Sequence, residues 1–237
     1  MGLAYKAVAT TSSYGSGNVT TDSGIAVAVG DLVVASITSN DSSVDAAGFT
    51  DSVGNSYTLR DVVDAGNSSS QRLAYCIATK AGASVTFTAS FGAGSSTKAI
   101  NLVTFLPDSG DTVSLEIGLT GSSSWVESPW STSSDDTVST DAVAVAFFFC
   151  GAAKTYSDEE IPENTAATVL TPANTGSTYF YRILTAGVTG IEAITVTNGN
   201  GSFAGELLVF QSVGGGAATA PTGSLGGCLI GSLGGPF

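Results

Sequence analysis

Val85-Thr86-Phe87-Thr88-Ala89-Ser90-Phe91 places an apolar side chain at every second position and a hydroxyl at each position between. A strand turns successive side chains to opposite faces, so Val85, Phe87, Ala89 and Phe91 should line a core while the hydroxyls meet water. The signal recurs on both sides of this stretch. Residues 25–29, 32–38, 57–63, 73–79 and 100–106 are apolar and β-branched, and each run is bounded by Gly, Asn, Asp or Ser clusters. No helical period is sustained over about eleven residues, although 158–164 has the composition of a short turn. The expectation is an all-β fold, an antiparallel β-sandwich of the jelly-roll or Ig-like kind.

Composition agrees with that reading. The chain has 237 residues, 43% hydrophobic and only 11% charged, against about 25% charged in an average soluble domain. Ser, Thr, Gly and Ala fill the polar positions, which suits closely spaced strands and turns better than helices laced with ion pairs. A chain of this length buries about 70–75% of its unfolded surface and needs neither disulfide nor metal to hold a core. Cys76, Cys150 and Cys228 cannot all pair, and the first two stand in apolar strand runs where reduced, buried thiols are common. There is no charged-then-apolar leader, and no apolar run approaches the ~18 residues of a membrane span. A product made in the cytoplasm without export is therefore expected.

The net charge of −13 sets 20 acidic residues against seven basic ones: Lys6, Arg60, Arg72, Lys80, Lys98, Lys154 and Arg182. These are scattered. Without a basic stripe to release phosphate counterions, direct binding to nucleic acid is not expected, and an anionic membrane would repel the chain.

Landmarks of the first half return in the second. Asp31 before LVVASI corresponds to Asp141 before AVAVAFFF. Leu73-Ala74-Tyr75, Ala81-Gly82 and Val85-Thr86-Phe87-Thr88 correspond to Tyr179-Phe180-Tyr181, Ala186-Gly187 and Ile194-Thr195-Val196-Thr197. Both halves close on an apolar strand ending in Phe105 or Phe210. Such agreement predicts an internally duplicated chain, with a first half over 1–107 and a second over 108–212 joined by the turn-like Pro107-Asp108-Ser109-Gly110-Asp111. Either two Ig-like sandwiches or one larger sandwich would satisfy this pattern. Phe147-Phe148-Phe149 favours the larger one, because it is apolar on both strand faces.

Residues 213–237 read as an extended, Gly-rich C-terminal arm. Its pentapeptide Gly-Ser-Leu-Gly-Gly occurs at 223–227 and again at 231–235. So little side-chain mass cannot form its own core, yet Leu225, Leu229, Ile230, Leu233 and Phe237 are too apolar for a plain solvated tail. At ~3.3 Å per residue the arm could reach roughly 80 Å, ample to cross onto a neighbouring subunit. The five residues are the expected partner-binding positions, by strand addition or by filling grooves.

Catalytic chemistry is not expected. The sequence has no histidine, which removes the commonest general base, the usual partner of a nucleophile and the commonest transition-metal ligand. Carboxylates at strand ends, such as Asp51 and Glu206, fit turns and solvated loops better than a glycosidase pair. Asp51-Ser52-Val53-Gly54-Asn55 and Asp158-Glu159-Glu160 lack the spacing of a calcium loop, and no cofactor or metal site is expected. Trp125 and Trp130 flank a Ser-rich connection, where exposed rings could stack on a glycan or anchor an interface.

The first half, through Gly30-Asp31-Leu32-Val33-Val34-Ala35, Thr50-Asp51-Ser52-Val53-Gly54-Asn55-Ser56-Tyr57-Thr58-Leu59 and the strand at Val85, resembles β-sandwich proteins of tailed-bacteriophage virions. Those include capsid decoration and fibre-associated modules. The resemblance covers roughly residues 20–211 and leaves the arm out. It implies a non-enzymatic structural protein, a decoration or cement protein on the outer surface of a phage head. The implied partners are other virion proteins, chiefly the major capsid protein, and further copies of the chain itself. The alternative it implies is a tail or fibre component that binds a host-surface glycan through Trp125 and Trp130.

Overall fold

The computed structural model describes residues 2–41, 48–66, 69–92, 94, 96–126, 130–138, 140–150, 156–161, 167–170, 172, 176–197 and 201–213. These residues form nineteen strands and no helix. The protein is an all-β, antiparallel β-sandwich.

In the first half the large sheet contains β1 (Leu3–Gly15), β11 (Ser96–Pro107), β4 (Leu32–Ser39), β8 (Ser69–Ile77) and β6 (Thr58–Leu59) in that order, with β7 (Val63–Gly66) also on β8. A small sheet of β2 (Val19–Thr20), β10 (Phe87–Ser90) and β5 (Gly48–Asp51) covers one face, beside the pair β3 (Ile25–Val27) and β9 (Gly82–Val85). The second half has a large sheet in the order β12 (Thr112–Val126), β19 (Gly201–Val213), β14 (Ala142–Phe149), β17 (Ser177–Leu184), β16 (Thr168–Leu170). Its small sheet runs β13 (Trp130–Thr137), β18 (Thr189–Thr197), β15 (Tyr156–Glu160). Position by position, the two halves have the same strand order.

The two large sheets meet face to face, so the layers run small, large, large, small. Three apolar clusters follow from this. Val33, Ala35, Ile37, Ile100 and Leu102 meet Phe49, Phe87 and Ala89 inside the first half. Ala144, Ala146, Phe148, Phe180 and Leu207 meet Ile191 and Ala193 inside the second. Between the halves, Leu32, Val34, Val103 and Phe105 meet Val143, Val145, Phe147, Leu208 and Phe210. Every residue of β4 and of β14 is buried, because each is a central strand of a sheet covered on both faces.

That seam repeats its own contacts. Tyr75 on β8 meets Phe210 on β19 edge-on with ring centroids 5.2 Å apart, and Tyr181 on β17 meets Phe105 on β11 edge-on at 5.2 Å. Each Phe and each Tyr holds the corresponding place in its own sheet, so the same contact is made twice in reversed roles, as at a two-fold interface. Both first strands also carry a bulge at one place, between Tyr5 and Ala7 on β1 and between Leu115 and Ile117 on β12.

Several sequence expectations need correction. The run at Val85 is two strands, parted at Thr86, whose amide and carbonyl bond Ser52 instead; the alternation survives, with Val85, Phe87 and Ala89 fully buried. Residues 57–63 divide into β6 and the start of β7; the Arg60 amide still follows the β6 register onto Leu73 O of β8, and by Val63, which pairs with Gln71, the register has shifted by one residue. The turn expected over 158–164 is the strand β15 as far as Glu160. The Ser-rich connection is strand too, forming the ends of β12 and β13. Finally, matching Asp31 to Asp141 slips the register by one residue. Leu32 and Val34 face the seam, as do Val143 and Val145, so Leu32 corresponds to Val143 and not to Ala142.

Candidate functional site

The five arm residues, Leu225, Leu229, Ile230, Leu233 and Phe237, lie outside the described residues, which end at Val213. Trp125 is the penultimate residue of β12 and Trp130 the first of β13, opposite Thr195. The two tryptophans thus belong to strands of different sheets; their side chains are outside the described set.

The described chain ends beside the linker. Val213 pairs with Thr112, and the Ser212 hydroxyl donates to Asp111 Oδ2 at 2.7 Å. The linker itself is a tight turn, with the Asp111 amide on Asp108 O at 3.0 Å and Gly110 at a φ of +88° that only glycine adopts without strain. Two recesses flank Asp108. One, of about 420 Å³, is walled by Val29, Gly30, Leu106 and the linker. The other, of about 260 Å³, is walled by Gly2, Leu3, Ala4, Ile183 and Leu184.

Exposed apolar side chains gather at this end. Val29 is 67% exposed, Leu106 48%, Ile183 43% and Val213 41%, and the exposed Tyr5 stacks on Tyr181 with centroids 5.5 Å apart. Among the described residues, Tyr14 and Val169 are the large apolar exposures that lie elsewhere. The sequence reading placed Val29 inside a strand. The strand stops at Val27, and the turn closed by the Asp31 amide on Ala28 O pushes Val29 into solvent.

The basic residues among the described ones bond within the chain. Lys6, which the β1 bulge aims inward, pairs with the fully buried Asp31. Arg60 Nε pairs with Glu206 Oε2 at 3.2 Å. Arg72 donates to Arg60 O at 2.7 Å, Lys80 to Gly54 O at 2.9 Å, Lys98 to Gly94 O at 3.1 Å and Arg182 to Ile161 O. Lys98 also lies over the Phe91 ring. Each basic side chain among the described residues therefore has a hydrogen-bond partner within the chain, with Lys6 and Arg60 in ion pairs, while Lys80 itself is exposed.

Asp51 organises a turn rather than an ion site. Its Oδ1 accepts the amides of Val53, Gly54 and Asn55 at 3.1, 2.6 and 3.0 Å, and its Oδ2 accepts Asn55 Nδ2 and the Tyr57 hydroxyl, each at 2.8 Å. Asn55 Oδ1 then takes the amides of Thr79 and Lys80, both at 2.8 Å, and ties the turn to the end of β8. Burial would raise the Asp51 pKa, but the bonds from Asn55, Tyr57 and Gly54 outweigh it and hold the carboxyl below its ordinary value. Burial pushes the neighbouring Cys76 thiol up to about 11, so it stays protonated and unreactive. No group of three or more metal-ligating side chains occurs among the described residues.

One carboxyl is fully buried in the seam. Glu206 faces Arg60, with the Gln71 side chain beside it, and burial outweighs Arg60 in raising its pKa to about 8. The expectation of a turn or solvated loop at Glu206 is overturned: it lies inside β19, fully buried, and its partner is 146 positions away in the chain.

No family model matches the chain, and no curated protein or solved structure matches it.

Proposed function

We propose that the chain is a non-enzymatic virion structural protein, a decoration or cement protein on the outer surface of a phage head. In this reading the body is a tandem duplication of one β-sandwich, and residues 213–237 help to hold it to the shell and to neighbouring copies. One observation carries the proposal: the exposed apolar side chains Val29, Leu106, Ile183 and Val213 surround the point where the apolar arm leaves the body. A monomer that worked alone in solution would have no use for an apolar end and an apolar arm at the same place.

The electrostatics support the outer surface. With a net charge of −13, and with Lys6 and Arg60 in ion pairs with Asp31 and Glu206, the body offers little to packaged nucleic acid. Four layers that share a two-sided seam also suit a particle that must resist mechanical and chemical stress.

The test is rebinding of purified chain to phage heads stripped of it. The full chain should bind, and a variant with Leu225, Leu229, Ile230, Leu233 and Phe237 all changed to Ser should lose most of that binding. Undiminished binding by the variant overturns the arm's part. Failure of the full chain to bind heads overturns the virion assignment.

A further inference from the structure

We infer that the outer edge of β1, residues 8–15, pairs antiparallel with the same edge of a second copy of the chain, about a two-fold axis at Thr11. β1 ends its sheet: it pairs with β11 on one side and with no described strand on the other. An edge strand presents a row of unpaired amides and carbonyls, a template for another strand. The corresponding edge strand of the second half is covered in part by the first half, since β7 packs against β12 and Arg60 Nη2 donates to Gly118 O at 3.3 Å. Among the described residues, no side chain caps a backbone group of residues 8–15 in this way.

The sequence leaves this stretch unguarded. Edges that must stay single carry a bulge, an inward charge, a lysine or a proline. β1 has such guards at one place, the bulge between Tyr5 and Ala7 that aims Lys6 at the buried Asp31. Beyond it, Val8-Ala9-Thr10-Thr11-Ser12-Ser13-Tyr14-Gly15 has no charge, no proline and no bulge. Val, Thr and Tyr favour strands, and eight residues of strand run about 27 Å.

Charge selects a second copy as the occupant. At a net charge of −13 two copies repel each other over most of their surface, whereas this edge brings them together without opposing like charges. A basic foreign strand would gain no ion pair here. Strand alternation puts Val8, Thr10, Ser12 and Tyr14 on one face. With the axis at Thr11, Thr10 of one copy lies opposite Ser12 of the other, a hydroxyl pair, and Val8 lies opposite Tyr14. The Tyr14 ring, 77% exposed in the single chain, then covers a half-buried valine at the rim of the seam. Such a contact closes at two copies and joins their large sheets into one. It does not rest on the virion assignment, because it is read on the purified chain without phage heads.

Sedimentation equilibrium of the full chain should show a reversible dimer, twice the chain mass of 23.5 kDa. Hydrogen exchange of the amides in residues 8–15 should slow as concentration rises, while exchange around Val29, Leu106 and Ile183 stays constant. Thr10→Glu with Ser12→Glu opposes like charges across the axis and should abolish the dimer. Thr10→Lys with Ser12→Glu opposes unlike charges at the same positions and should keep it, which separates lost pairing from lost folding. A chain that stays monomeric overturns the inference. So does a dimer that survives the paired glutamates, or one whose protection falls at the Leu106 end and not on β1.

Discussion

Asn101 and Glu206 hold corresponding places on β11 and β19, both fully buried in the seam and both facing the opposite half. Asn101 meets Ser177 at 3.3 Å, a neutral pair that satisfies itself. Glu206 meets Gln71, which stands where Ser177 stands in the other half, and it needs Arg60 in addition. Arg60 in turn occupies the place of the apolar, buried Leu170. The comparison teaches that shape at the seam is nearly symmetric while charge is not. Apolar side chains make up the seam's core, and the Arg60–Glu206 pair replaces on one side what a neutral pair does on the other.

The largest effect should come from the symmetric part. Phe105→Ala and Phe210→Ala each remove a ring from the same kind of contact and should each cost about 3–5 kcal/mol in urea unfolding. If one is nearly silent, the two ends of the seam are not equivalent.

The asymmetric part comes next. Arg60→Leu removes the group that lowers the Glu206 pKa, so that pKa should rise further, and the variant should lose more stability at pH 9, where native Glu206 is ionised against Arg60, than at pH 5, where it is protonated. Arg60→Leu with Glu206→Asn copies the neutral pair of the other side, and it should restore or exceed the native midpoint.

Glu206 also sets a pH dependence. Its folded pKa is raised, so the folded chain keeps a proton that the unfolded chain loses above about 4.3. The stability this contributes is complete below that value and declines as pH rises to about 8. Glu206→Gln should flatten the decline, with the gap in unfolding midpoint widest at the alkaline end. A constant gap across the range would show that Glu206 stays ionised.

The smallest effect concerns the Asp51 turn. Asp51→Ala leaves three amides and Tyr57 without their acceptor and should cost about 1–3 kcal/mol at pH 7. The Asp51 pKa is lowered, so its contribution is present above about 3.9 and fades as the pH falls towards the folded value. Native and variant midpoints should therefore converge in acid.

The elements that were legible in the sequence are those whose side chains report burial directly. β4 and β14 could be read as covered on both faces because they have almost no polar position to turn outward. β1 was not legible, although it has 13 residues, because the bulge at Lys6 breaks its alternation and its outer half is Ser, Thr and Tyr. The strands carrying Trp125 and Trp130 escaped for a similar reason: a serine-rich stretch resembles a loop until a partner strand supplies its hydrogen bonds. The Arg60–Glu206 pair and the recesses at the linker combine residues far apart in the chain, and local composition carries no sign of either. Asp31 was visible as a landmark but was matched one residue out, since the face a residue takes is fixed only by the sheet it joins.

Electron cryomicroscopy of the assembled phage head tests the central claim most directly. The account predicts the four-layer body on the outer surface, with its linker end, residues 107–111, towards the shell and density continuing from Val213 onto a neighbouring subunit. A body bound through another face with its linker end in solvent, or located on the tail, would contradict it.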